Sequence, residues 1–185
     1  MKDRQQIIDT TKLWLDRFVI GLNLCPFAKH PFRNDKIRYI VFEGNDLEKL
    51  TETWLKEANA LVETTPSVLE TTLIILPEVL DEFEAYLDFV DMSEFILEEV
   101  DLDGVIQIAS FHPDYQFDET EPTDVENYTN RSPFPMLHLL REESVNRAIE
   151  AYPEIGDIPD NNIDTMNKLG LTRVKQMLDD INRTN

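Results

Sequence analysis

One cysteine, five glycines and no lysine or arginine between residues 57 and 130 are the main shortages of this sequence. Cys25 has no second cysteine to pair with, so no intrachain disulfide supports the fold, and a reducing, cytosolic setting is expected. Five glycines in 185 residues leave little material for the glycine-rich loops that cradle phosphates. No stretch approaches the ~18 apolar residues that a membrane-spanning helix needs. The start, from Met1 to Asp16, is charged and amphipathic and does not read as a signal peptide. The expectation is a cytoplasmic chain with no membrane partner.

The net charge of −20 is not spread evenly. Residues 57–130 hold twenty acidic side chains and no basic one, while the flanking segments are close to neutral. A field of that sign repels phosphate backbones, so nucleic acid is excluded as a general partner. The acidic block reads either as solvated helix faces or as a surface that docks a basic protein. With 42% hydrophobic residues the chain has enough apolar material for a packed core, and its length suits a single domain over residues 1–185.

Apolar spacing then predicts the elements. Asp3 is a good N-cap for a first helix whose Ile7, Trp14, Phe18 and Leu22 share one face. Pro26 ends that helix or starts a short one. Ile37 to Phe42 is β-rich, and after a turn Asp46 caps a helix with Leu47, Leu50, Trp54, Ala58 and Leu61 as its apolar stripe. A second strand runs from about Thr71 to Leu76. A helical pattern follows from Val79 to Val100, with a possible break at Ser93. A third strand, Gly104 to Phe111, is apolar enough to be covered on both faces. Residues 112–135 form a long loop, and the remainder reads as helix over Met136 to Tyr152, Asn161 to Leu169 and Leu171 to Asn182. The expected fold is α/β: a small three-stranded, mostly parallel sheet flanked by helices, with a helical C-terminal part. Ligands of parallel sheets bind beyond the carboxyl ends of the strands, which points to the end of the third strand.

Three segments concentrate unusual residues: Gly21-Leu22-Asn23-Leu24-Cys25-Pro26-Phe27-Ala28-Lys29, Ser110-Phe111-His112-Pro113-Asp114-Tyr115-Gln116-Phe117, and Asn127 to Pro135 running into Met136-Leu137-His138-Leu139-Leu140-Arg141-Glu142. Together they resemble a family of uncharacterised, mostly bacterial proteins known only as a domain of unknown function, DUF1415. The resemblance extends over nearly the whole chain. It implies a small single-domain protein and brings no activity, cofactor or catalytic residue with it.

Read on their own, the three segments offer one candidate site. Cys25, His112, Asp114 and His138 are the candidate catalytic groups. A thiol near Lys29, His30 and Arg33 can act as nucleophile or ligand, or simply pack as a small apolar residue. Either histidine can serve as general acid or base. His138 and Glu142, four apart on an expected helix, together with His112 and Asp114 are candidate ligands for a divalent metal; haem is a further possibility at Cys25-Pro26. Packed histidines with one hydrogen bond explain the same residues. Arg131 is the first positive charge after 74 residues without one. With Lys29 and Arg141 it would hold a small anion, or else bridge to the acid-rich loop. Tyr115, Asn127, Tyr128 and Asn130 are either ligand contacts or loop staples. The leading reading is an enzyme or binding protein with one site for a small anionic molecule at the carboxyl end of the third strand. A non-enzymatic protein docking a basic partner through residues 57–130 is the alternative.

Overall fold

A computed structural model describes residues 3–151 and 155–183; Met1, the expected helix end at Tyr152 and the last two residues lie outside them. Helix α1 (Arg4–Trp14) opens with a reciprocal capping box, Asp3 accepting from the Gln6 amide and Gln6 from the Asp3 amide. It runs directly into a π-helical turn, Leu15–Ile20. A short α2 (Lys29–Arg33) follows the Cys25-Pro26 turn. Strand β1 (Ile37–Val41), helix α3 (Leu47–Glu63) and strand β2 (Thr71–Ile75) come next, with Asp46 capping α3 as its sequence suggests. Helix α4 (Phe83–Glu99) runs without interruption past Ser93, whose hydroxyl donates to the Phe89 carbonyl one turn back. That replaces the break expected there.

Strand β3 (Ile106–Phe111) is followed by a 3-10 turn, Val125–Thr129, within the long loop. The expected helix from Met136 divides in two: residues Met136–Arg141 form strand β4, and Glu142–Ala151 form α5. Helices α6 (Ile158–Leu169) and α7 (Leu171–Arg183) complete the chain.

The sheet therefore has four strands, in the order β1-β2-β4-β3. β1 pairs parallel with β2, while β4 lies antiparallel between β2 and β3. The expected three-stranded, mostly parallel sheet is corrected on two points. β4 separates the second and third strands, and β3 is an edge strand, not one buried on both faces. β1, β2 and β3 still run in one direction.

Strand alternation sorts side chains to two faces. Ile74, Leu137, Leu139 and Ile106 pack under α3 and α4 against Leu50, Trp54, Tyr86 and Phe89. Leu73, Ile75 and Met136 face α1, the π-helical turn, α6 and α7, packing on Trp14, Phe18, Met166 and Val174. By the same period of two, Thr71, Gln107, Ala109, Phe111, His138 and Leu140 belong to this second face. No described helix is long and apolar enough to cross a membrane.

Candidate functional site

Between the second face and its helices the packing is incomplete. A partly enclosed cavity of about 870 Å³ lies there, with Ile37, Thr71, Leu73, Gln107, Ala109, Phe111, His138 and Leu140 as its floor. Trp14, Leu15 and Val19 wall one side and Cys25 to Ala28 another, while α5 contributes Ser144, Val145, Arg147, Ala148 and Ala151. His30, Ser67, Arg147 and Ala151 are the exposed lining residues and mark the mouth. Most of the lining is apolar, as in small-molecule sites generally. The charged lining consists of Lys36, Arg141 and Arg147 against the single carboxylate Glu70. That balance inverts the sign of the molecule as a whole.

His138 is the polar centre of the floor. Thr71 Oγ1 stands 2.5 Å from the Leu139 carbonyl and 2.7 Å from His138 Nε2. The hydroxyl has one proton, which goes to the carbonyl, so Nε2 must carry a proton and donate it to Oγ1. His138 Nδ1 is then a bare acceptor, with no partner among the described residues. Burial drives the imidazole pKa down to about 4, which keeps the ring neutral at pH 7. Its ring lies 6.1 Å from that of Phe111, which in turn meets Trp14 edge-on at 5.2 Å.

Cys25 also lines the cavity. Burial pushes its thiol above the ordinary range, although hydrogen bonds from the Phe27 and Ala28 amides oppose the shift. The sulfur is therefore protonated and is not an activated nucleophile. Arg141 is buried, with one terminal nitrogen donating to the Thr64 and Leu69 carbonyls. Its Nε is buried without a partner.

Of the residues singled out in the sequence, the cavity brings together Cys25, His138 and Arg141. The others lie elsewhere. His112 is on the opposite side, wedged between Phe83 and Tyr86 with ring centroids at 5.2 and 5.1 Å. Its Nε2 donates to the Leu80 carbonyl at 3.1 Å and its Nδ1 accepts the Asp114 amide at 3.0 Å, so neither ring nitrogen is left for a substrate. Asp114 is exposed and takes part through its backbone. Tyr115 packs on Phe83 and Phe117. Arg131 lies over the Tyr128 ring at 4.3 Å and donates to the Tyr115 and Pro122 carbonyls, in place of the bridge to the acid-rich loop that its charge suggested. Asn127 accepts from the Phe117 amide and the Thr120 hydroxyl and donates to the Glu121 carbonyl. The Asn130 carbonyl accepts the His112 amide. These side chains staple the loop over the carboxyl end of β3. Lys29 is exposed outside the cavity.

The expected single convergence of Cys25, His112, Asp114, Arg131 and His138 is thus corrected: the sheet stands between His112 and His138. The site also moves away from the carboxyl end of β3, because the His112–Pro135 loop fills that end. The proposed metal set of His112, Asp114, His138 and Glu142 is divided in the same way, and Glu142 begins α5 instead of sharing a helix face with His138. Among the described residues no three His, Cys, Asp or Glu side chains group as a metal site.

Lys36, Thr71, Gln107 and Arg147 are cavity residues that sequence reasoning passed over. The signal for Thr71, Gln107 and His138 was strand parity, legible only once Met136–Arg141 is read as β.

A family model described as a protein of unknown function, DUF1415, matches residues 6–176. Neither the curated proteins nor the solved structures contain a match to the chain.

Proposed function

Since the chain belongs to the DUF1415 family, whose function is unknown, we propose from its own cavity that it binds a small anionic molecule with an apolar body. One observation carries this reading: in a protein of net charge −20, the cavity lining has three cationic side chains, of which Arg147 at the mouth pairs with Glu143, and one carboxylate around a mostly apolar floor. The acid-rich exterior is unfavourable to anions in general. A local cationic rim is therefore a selective feature and not a consequence of composition.

Lys36 is the best anchor. It is half-buried at the edge of β1 and has no ion pair among the described residues, so a carboxylate there regains charge pairing in a partly desolvated setting. Arg141 is held by carbonyls and supplies field more than a free fork. Binding fits better than turnover, because the thiol of Cys25 is protonated and the imidazole of His138 is a weak base with a hydroxyl neighbour and no carboxylate behind it.

Calorimetric titration tests this directly. Cinnamate and dodecanoate should bind at one site more tightly than their uncharged methyl esters. Lys36→Met should weaken the acids by roughly five- to tenfold and leave the esters almost unchanged. Equal binding of acid and ester, or no binding of either, overturns the reading.

A second reading rests on α4. Phe95 is 59% exposed and Met92 41%, and both stand among Asp91, Glu94 and Glu98. The Glu94 carboxyl is held above its usual range by its own partial burial and then by Asp91 and Glu98. An apolar patch inside an acidic field suits a basic amphipathic segment of another protein.

A further inference from the structure

Resting on the anion-binding reading of the same cavity, we infer that the ligand carries a hydroxyl at the end remote from its carboxylate, and that His138 accepts a hydrogen bond from it. Three observations lead there. Thr71 fixes the tautomer of His138 by giving its only proton to the Leu139 carbonyl, which leaves Nδ1 as an acceptor in a ring that lines the cavity. The surroundings of that ring are aromatic and aliphatic: Phe111, Trp14, Leu73 and Leu140. A wholly apolar ligand seated against them would displace water from Nδ1 and offer nothing in return, which is the expensive way to bury an acceptor. A donor at that point restores the bond.

The third observation is spacing. Lys36 immediately precedes β1, and His138 is on β4, two strand positions away across β2. His138 is level with Leu73 and Tyr39, three residues along from Lys36. With strands ~4.8 Å apart and ~3.3 Å per residue, the two backbones are on the order of 14 Å apart, an interval that the long lysine side chain shortens. One rigid molecule with a carboxylate at one end and a hydroxyl at the other spans that interval, and Ile37 and Leu73 lie between as an apolar surface for its body. The class is a hydroxylated apolar carboxylic acid, aryl or acyl. Because the ring is neutral at pH 7, it selects a donor and not a second anion.

Titration with matched probes provides the test. With the wild-type protein, 4-hydroxycinnamate should bind about tenfold more tightly than cinnamate, as one hydrogen bond to a buried acceptor warrants. His138→Leu should abolish the preference while still binding cinnamate, and His138→Gln, which retains an acceptor oxygen, should recover part of it. Equal affinity of the wild type for both acids overturns the hydroxyl assignment and leaves the anion site standing. Failure of both acids to bind overturns the site and the assignment together. Should His138→Leu fail to fold, the wild-type comparison still decides.

Discussion

At position 138 a histidine sits in the cavity floor with its pKa lowered from 6.5 to about 4 by burial, and this has a consequence for folding of definite sign. Between those values the unfolded chain binds a proton that the folded chain refuses. Stability therefore falls as pH is lowered from about 6.5 to about 4, and His138 adds no further loss below that. The full difference is on the order of 3 kcal/mol. In urea denaturation, His138→Gln should lose correspondingly less stability than the wild type between pH 7 and pH 4; parallel pH profiles would show that the imidazole is not buried as described. Cys25 gives a second residue-scale test, since it is the only thiol. Its alkylation by iodoacetamide at pH 8 should be slower than that of free cysteine, and dodecanoate should slow it further by occupying the cavity it lines. Alkylation faster than free cysteine would identify an activated thiolate instead. His112 shows why residue type alone misleads: the same imidazole that accepts freely at 138 is fully engaged at 112, and only the positions of Leu80 and Asp114 distinguish them.

Elements with a strong local signature were legible before folding was considered. Asp3 and Asp46 mark the helix starts they cap, and Ile37 to Val41 and Thr71 to Ile75 are strands in which β-branched residues predominate. Met136-Leu137-His138-Leu139-Leu140-Arg141 was not, because it has no β-branched residue and every leucine and methionine in it favours helix. Its place between β2 and β3, hydrogen-bonded on both sides, overrides that preference. The π-helical turn Leu15–Ile20 was equally hidden, as its wide winding has no compositional mark beyond the glycine that follows. A Cβ on Gly21 would lie 2.3 Å from the Arg17 carbonyl oxygen. Gly21→Ala should force this turn to relax and displace Leu15 and Val19 from the cavity wall. We expect a loss of roughly 1–3 kcal/mol in thermal denaturation, with weaker binding of dodecanoate. Unchanged melting and affinity would mean that the turn does not shape the cavity.

For the whole molecule, the sequence carried the charge asymmetry and the α/β class but not the cavity. Twenty acidic residues without a basic one could be counted directly. Which face of the sheet remains under-filled depends on how β4 sets the parity of His138 and Leu140 and on where α5 lies. None of the residues of α5 is buried, so apolar periodicity alone could not place it. The central claim is that an anion with an apolar body enters between the sheet and α1, on the side away from α4. Amide chemical shifts of the isotopically labelled protein, followed during titration with cinnamate, locate the ligand directly. Changes should concentrate at Cys25 to Ala28, Leu73, Gln107 to Phe111, Leu140 and α5. Changes confined to α4 or to the His112–Arg131 loop, or no changes at all, would contradict it.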